Sequence, residues 1–131
     1  MKKLLVLFTL CSFTMLYAQQ KADSLILVGK WTPVDKTVQA PDIVIHANGN
    51  YEIIMPENQI PMMKYKLDTT KDPMWLDITM EFNGETRVMN GLAKLIDVNT
   101  LKLEMFMNNT ERPVKFSEPD SRMLLMLKKV Q

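Results

Sequence analysis

The sequence predicts an all-β protein, a small eight-stranded antiparallel up-and-down barrel with a short N-terminal helical turn. Residues 74–82 alternate apolar and polar side chains, a pattern typical of a strand with one buried and one solvated face. Two Asn-Gly pairs, Asn48-Gly49 and Asn83-Gly84, each separate two strand-like stretches and indicate tight hairpin turns. No window sustains a period of 3.6 residues, so a helical bundle is not expected. Eight short strands joined mostly by tight turns favour a small barrel, with a β-sandwich as the alternative.

The chain begins with a pattern typical of a secretory signal peptide. Lys2 and Lys3 form a positive region, and residues 4–16 form an apolar stretch that is too short to span a bilayer. Ala18 is the small residue expected just before a signal-peptidase cut. The pattern therefore predicts that residues 1–18 are a cleaved leader, with a retained membrane anchor as the alternative.

The composition of residues 19–131 limits what the remaining chain can be. This length suits one domain with a single core that needs neither a disulfide nor a metal, and the single cysteine, Cys11, lies in the leader. Leu10 precedes Cys11 where a lipidated cysteine needs a small residue, so a lipid anchor is not expected. Without Lys2 and Lys3, the 16 basic residues fall to 14 against 15 acidic ones. A near-neutral chain has no electrostatic attraction to nucleic acid or to an anionic membrane. We therefore expect an exported protein, periplasmic or secreted, with no nucleic-acid partner and no stable membrane insertion.

The first elements after the leader are predicted to be a helical turn and three strands. Asp23 is placed to cap a single turn that brings Leu25 and Val28 to the closed end of the barrel, although a disordered terminus is the alternative. Pro33 marks an edge, a bend or a bulge in the first strand. The three strands are predicted at residues 30–38, 43–46 and 51–55.

Five more strands are predicted in the second part of the chain, at residues 63–68, 74–82, 85–97, 101–107 and 122–129. Gly91 lies in the middle of the longest strand, where a glycine usually marks a bulge or a barrel corner. Residues 108–120 are polar and contain two prolines, so they are predicted to be mostly loop.

Several segments resemble known lipocalin-like proteins. Gly29-Lys30-Trp31 resembles the G-x-W segment on the first strand of lipocalin-like barrels, in which the tryptophan plugs the closed end. Further segments are similar to an uncharacterised family of secreted bacterial lipocalin-like domains. They are Val28-Gly29-Lys30-Trp31, Tyr65-Lys66-Leu67-Asp68-Thr69-Thr70-Lys71-Asp72-Pro73 with Leu76-Asp77-Ile78-Thr79, Gly91-Leu92-Ala93-Lys94-Leu95 with Thr100-Leu101-Lys102-Leu103, Glu111-Arg112-Pro113 with Phe116, and Leu125-Met126-Leu127-Lys128. The resemblance implies a lipocalin-like barrel, with Arg122 stacked on Trp31 in a structural role, and it brings no known activity.

The residues that remain in the exported chain do not suggest an enzyme. His46 is the only histidine, no cysteine remains, and no G-x-S-x-G segment surrounds a serine. Asp77 and Glu81 lie on the polar face of an alternating strand, where solvation explains them. No spacing typical of metal ligands is present. We therefore predict no catalytic residue, no cofactor and no metal site.

The predicted inner face is large and almost entirely apolar, which leaves open whether the barrel is filled or hollow. An eight-stranded barrel is either just filled by its side chains or holds one small ligand. The predicted inward residues are Ile53, Met63, Tyr65, Leu67, Leu76, Ile78, Met80, Phe82, Leu101, Leu103, Met105, Met107, Leu125 and Leu127. From these and from the nearby polar side chains, the candidate ligand-binding residues of the interior are Tyr51, Ile53, Tyr65, Met80, Phe82, Arg87, Met105 and Arg112. For Arg112, a loop salt bridge is the structural alternative.

Two functions follow from this pattern. The first is an exported protein that binds a small hydrophobic ligand in the barrel, favoured by the methionine-rich, apolar inner face. The second is a cell-envelope interaction module, or a small-barrel enzyme inhibitor, that acts through its loops and has a filled core. The long polar loop at residues 108–120 favours this second reading.

Overall fold

The computed structural model describes residues 25–36, 39–107, 111–117 and 123–131. These residues form one closed barrel in which each strand pairs antiparallel with the next along the chain and the last pairs with the first. The strands are β1 (Gly29–Pro33), β2 (Asp42–Ile45), β3 (Asn50–Ile54), β4 (Met63–Asp68), β5 (Met74–Phe82), β6 (Glu85–Asp97), β7 (Thr100–Phe106) and β8 (Leu124–Lys129). The prediction of an all-β, antiparallel up-and-down barrel of eight strands is therefore confirmed. Within the described residues, no helix has the length and apolar character needed to cross a membrane.

Both Asn-Gly turns lie where the sequence predicts them. Asn83 and Gly84 have positive φ angles of 52° and 77°, the conformation that a two-residue hairpin turn requires. Gly49 has a φ of 89°, and its N–H donates to the His46 carbonyl at 3.2 Å. The two turns fix the β2–β3 and β5–β6 pairings and, with them, which side chains face inward.

The buried core follows from the alternation of each strand. Trp31 lies opposite Ile43 on β2 and Lys129 on β8, so all three side chains share the inner face. The same pairing continues around the barrel. The buried apolar cluster consists of Leu27, Trp31, Ile43, Ile45, Tyr51, Met63, Leu76, Ile78, Ala93, Leu101, Leu103, Met105 and Leu127. Burying this much apolar surface in one enclosed face is the main stabilisation of the barrel.

The chain before β1 closes one end of the barrel, which we call the closed end. Residues 25–27 form a turn, and the Val28 N–H donates to the Leu25 carbonyl at 3.0 Å. Leu27, rather than the predicted Leu25, enters the core; Leu25 is 44% exposed. The Trp31 indole N–H donates to the Leu27 carbonyl at 2.9 Å, which ties this turn to the first strand. The predicted cap Asp23, and with it the rest of the predicted helical turn, lies outside the described residues.

Three predictions about the strands are wrong. The first strand was expected to reach residue 38, but β1 ends at Pro33 and residues 34–36 are not strand. Of the two readings of Gly91, the bulge is wrong, because the register irregularity in β6 lies between Leu95 and Asp97 and the pairing at Gly91 is continuous. Gly91 instead allows a close approach, since an added Cβ would lie 2.6 Å from the Met105 sulfur. Met107 was expected to face inward but is exposed, because β7 ends one residue earlier.

The β5–β6 hairpin extends past its neighbours at the end of the barrel opposite Leu27, which we call the mouth. The last pair between β4 and β5 is Lys64 with Thr79, and the described pairing of β6 with β7 begins at Asn90. Phe82 was predicted to lie in the interior, but it is 56% exposed, because β5 at this point extends three residues past its last pair with β4. Residues 34–36 and 39–41, which follow β1, and the loop at residues 55–62 lie at the same end.

Candidate functional site

The residues predicted to bind a ligand do not converge on one place. Tyr51 and Met105 belong to the buried core, and Ile53, Tyr65 and Met80 are partly buried against it. Tyr51 is only 1% exposed, and burial raises the pKa of its phenol, so this side chain stays protonated. These five residues lie on the inner face at different heights.

Tyr65 is hydrogen-bonded to the turn between β2 and β3. Its hydroxyl donates to the His46 carbonyl at 3.0 Å, and its backbone N–H donates to the Gly49 carbonyl at 3.0 Å. Desolvation raises the pKa of the Tyr65 phenol. These contacts give Tyr65 a structural role at the end of the barrel opposite the mouth.

Arg87 lies on the exposed hairpin rather than in the barrel interior. It is opposite Met80 in the β5–β6 pairing, which places it in inward register. However, it lies beyond the wall formed by β7, and its guanidinium group makes a solvent-exposed ion pair with Glu85, 3.4 Å from Nη2 to Oε2. The expectation that Arg87 and Phe82 line the interior is therefore wrong.

Arg112 lies on the outer face of the barrel. Trp75 and Asp77 alternate with the buried residues Leu76 and Ile78, so their side chains point outward. The Arg112 guanidinium carbon lies 4.6 Å from the centre of the Trp75 ring, and the group forms a salt bridge with Asp77. Arg112 therefore forms a structural salt bridge, which was the alternative role predicted for it, and it does not line the interior.

Two further hydrogen bonds attach the same guanidinium group to β6. Nη1 of Arg112 donates to the Gly91 carbonyl at 3.2 Å, and Nη2 donates to the Asn90 side-chain oxygen at 3.2 Å. Arginine presents several donors in one plane, which suits it to holding a carboxylate, an amide oxygen and a carbonyl together. Arg112 thereby fixes the loop that carries it against two strands.

Residues 111–117, which we call the outer strap, cross the outer face from β5 to β7. The Ser117 N–H donates to Glu104 Oε2 at 2.8 Å, and Lys102 Nζ lies 4.7 Å from the centre of the Phe116 ring. Glu104 and its cross-strand neighbour Leu92 are 1% and 0% exposed, although both face outward. The outer strap therefore encloses a second buried layer.

The closed end contains the predicted structural tryptophan. Trp31 is fully buried, and Lys129 Nζ lies 5.4 Å from the centre of its ring. Arg122, the predicted stacking partner of Trp31, lies outside the described residues. Within the described part of the chain, the cation over the Trp31 ring is Lys129.

Three adjoining cavities lined by described residues lie at the mouth. The first, of about 490 Å³, is lined by Glu52, Ile53, Ile54, Met55, Asn58, Gln59, Ile60 and Pro61. The second, of about 380 Å³, is lined by Lys36, Gln39, Ala40, Met55, Pro56, Glu57 and Asn58. The third, of about 240 Å³, is lined by Pro33, Val34, Asp35, Ala40, Leu124, Leu125 and Met126. Met55 and Asn58 border the first two cavities, and Ala40 borders the last two, so the cavities adjoin one another around the mouth.

The first of these cavities lies beside the shortest strand pairing of the barrel. β3 pairs with β4 through two residue pairs, Asn50 with Lys64 and Tyr51 with Met63. Beyond this seam, Ile54 forms an isolated bridge with Gln59 in the loop that follows β3. The cavity therefore lies between the loop that follows β3 and the end of β3 that pairs with β2 but not with β4. Of the residues predicted to bind a ligand, only Ile53 lines one of these cavities. The sequence signal for the other lining residues is the presence of the apolar residues Ile54 and Ile60 close to Pro56 and Pro61.

The described residues contain no cluster of three or more side chains suited to holding a metal ion. Comparison with known proteins adds no identity, since no family model, no curated protein and no solved structure matches the chain.

Proposed function

We propose that this protein is an exported lipocalin-like barrel that binds a small apolar ligand at its mouth. The observation that carries the proposal is the cavity of about 490 Å³ beside the β3–β4 seam. Sites for small molecules commonly have volumes of roughly 300–1,000 Å³ and combine apolar walls with a few polar groups. The volume and the mixed lining of this cavity support the proposal.

The lining of the cavity indicates the class of ligand. Ile53, Ile54, Met55 and Ile60 supply apolar surface, and methionine adapts easily to irregular shapes. Asn58 and Gln59 lie in the same lining and offer amide groups, whereas the Glu52 carboxylate is paired with His46, 3.2 Å from Nε2 to Oε2. A compact apolar molecule with one hydrogen-bonding end fits this combination.

The position of the ligand differs from the initial expectation of a site deep in the barrel. Large buried side chains such as Trp31, Tyr51 and Met105 occupy the inner face below the mouth. Around the mouth, Ile53, Ile60 and Leu125 are only partly buried. Apolar surface that is partly exposed at a concave rim gains free energy when a ligand covers it.

A titration with the fluorescent apolar probe 1-anilinonaphthalene-8-sulfonate tests the proposal. We expect saturable binding of one probe per chain, and we expect Ile60→Glu to weaken it about tenfold, because the substitution replaces an apolar lining side chain with a carboxylate that repels the sulfonate of the probe. Ile96→Glu is the matched control, since Ile96 is an exposed isoleucine on β6 outside the cavity lining. Absence of saturable binding, or equal weakening by both substitutions, would contradict the proposal.

The alternative function, an envelope interaction module, is favoured by a different region. Phe82 and Val88 on the β5–β6 hairpin are 56% and 57% exposed. Exposed apolar side chains on a projecting element are typical of contact surfaces. A pull-down from cell-envelope extract tests this alternative, with Phe82→Ser and Val88→Ser expected to abolish capture of any specific partner; recovery of no partner by the unaltered protein would count against it.

A further inference from the structure

Along residues 85–89, the projecting hairpin of β5 and β6 has an edge to which no described strand is paired. Residues 85–89 of β6 pair with β5, and within the described chain the pairing of β6 with β7 begins only at Asn90. Every residue from 81 to 88 is exposed. An exposed strand edge offers unpaired N–H and C=O groups that can join another strand.

The geometry of the turn determines which backbone groups face this edge. Asn83 and Gly84 form a two-residue turn, so the flanking residues Phe82 and Glu85 are the pair that exchanges backbone hydrogen bonds. Because the direction of these groups alternates along a strand, the N–H and C=O of Thr86 and Val88 point away from β5. These are the groups available to an added strand.

The charges along the edge favour a second copy of the same edge as the partner. Two identical strands that pair antiparallel about Glu85 would oppose two like carboxylates, and pairing about Arg87 would oppose two like guanidinium groups. Pairing about Val88 would require Asn90, which already pairs with Phe106. Only pairing about Thr86 sets Glu85 opposite the partner's Arg87, and it does so twice by symmetry.

We propose that two copies of this protein associate through antiparallel pairing of their β6 edges, with the two-fold axis at Thr86. The pairing joins the hairpins into a four-stranded sheet between the two barrels. Each Glu85, which forms an exposed ion pair with Arg87 of its own chain, gains the partner's Arg87 as a cross-strand neighbour. The interface is short, so the association is weak and depends on concentration and salt. This proposal is independent of ligand binding at the mouth.

Sedimentation velocity of the purified protein over a range of concentrations at low salt tests the pairing. We expect a monomer–dimer equilibrium. Glu85→Arg and Arg87→Glu should each weaken it about tenfold or more, since each turns two attractive cross-strand pairs into repulsive ones. The double variant with both substitutions restores opposite charges and should return the dissociation constant to near that of the unaltered protein.

The control is Glu81→Lys, a comparable charge reversal on the other strand of the same hairpin, which should change the dissociation constant little. Circular dichroism of each variant verifies that the barrel is folded. The proposal is overturned if the unaltered protein is monomeric at all concentrations, if the double variant fails to restore association, or if Glu81→Lys acts as strongly as Glu85→Arg. It is also overturned if the Thr86 and Val88 amides are equally protected from hydrogen exchange in monomer and dimer, because the edge would then be covered by the chain itself.

Discussion

The inner face of the barrel and the outer face under the strap both contain fully buried side chains, but they are buried in different ways. Inside, the members of the buried cluster that includes Trp31 and Leu76 are apolar, and all eight strands contribute to it. Outside, Leu92 and the carboxylate Glu104 are buried beside a short loop that is attached through Arg112 and Ser117.

This difference separates two sources of stability in one small fold. The inner layer depends on apolar surface, which is non-directional and tolerates changes that conserve volume. The outer layer depends on hydrogen bonds and an ion pair with defined geometry. Each of these interactions contributes little to stability, but removing one partner leaves the other buried and unpaired. Substitutions in the two layers should therefore differ in size, and they should differ in their response to pH.

Replacement of the buried tryptophan should have the largest effect. Trp31→Ala removes an indole that is fully enclosed and breaks its hydrogen bond to Leu27, so we expect a loss of about 4 kcal/mol in the free energy of unfolding. Trp75→Ala removes the same side chain from the outer face and should lower it by about half as much. Urea denaturation of both variants measures the difference. Equal losses would show that the two faces contribute alike.

Removal of the arginine that anchors the outer strap should have an intermediate effect. Arg112→Ala deletes a salt bridge, two further hydrogen bonds and a ring contact, and we expect a loss of about 2 kcal/mol in the free energy of unfolding. Lys94→Ala is the control, since it breaks a more exposed ion pair with Asp72 and should change stability by less than about 0.5 kcal/mol. A proteolysis assay on the folded Arg112→Ala protein should also show faster cleavage within the strap. Unchanged stability and cleavage would mean that the strap is held by other contacts.

The response to alkaline pH should be smallest and should come from the inner layer. Burial raises the pKa of Tyr51 above its ordinary value of 10.0, so the unfolded chain loses this proton at a lower pH than the folded protein does. The folded state is therefore destabilised as the pH rises above the unfolded pKa, by about 1 kcal/mol between about pH 10 and about pH 11.

Thermal unfolding of Tyr51→Phe against the unaltered protein over that pH range measures this contribution. The variant should lose less stability on alkalinisation, whereas Tyr65→Phe, in which a more exposed phenol is removed, should change the dependence less. An identical pH dependence in all three proteins would rule out Tyr51 as its origin.

The sequence predicts the inner layer well because alternation reports directly on burial. In β5 and β7, residues such as Ile78 and Leu103 follow a period of two, and both are buried as expected. Alternation does not report how far a strand extends beyond its neighbours, which is why Phe82 was placed inside. Whether a side chain in inward register is buried depends on how far the neighbouring strands extend.

The sequence does not predict the outer layer, for a related reason. Glu104 belongs to the polar face of β7 and is expected to be solvated, but a loop many residues along the chain covers it. The contacts of Arg112 with Asp77 and Asn90 join residues separated by 35 and 22 positions, and no local pattern encodes such pairings. The mouth cavity likewise depends on how the loop between β3 and β4 folds back onto Ile54, so its position required coordinates.

The short seam between β3 and β4 has a consequence for local unfolding of the barrel. β3 and β4 are joined by two residue pairs, whereas β5 and β6 are joined by nine. The β3–β4 pairing should therefore open first, while the other strands stay paired. We expect the amide hydrogens that face this seam to exchange with solvent sooner than those in the middle of β6. Such local opening would give a small molecule a lateral route through the barrel wall while the rest of the fold stays intact.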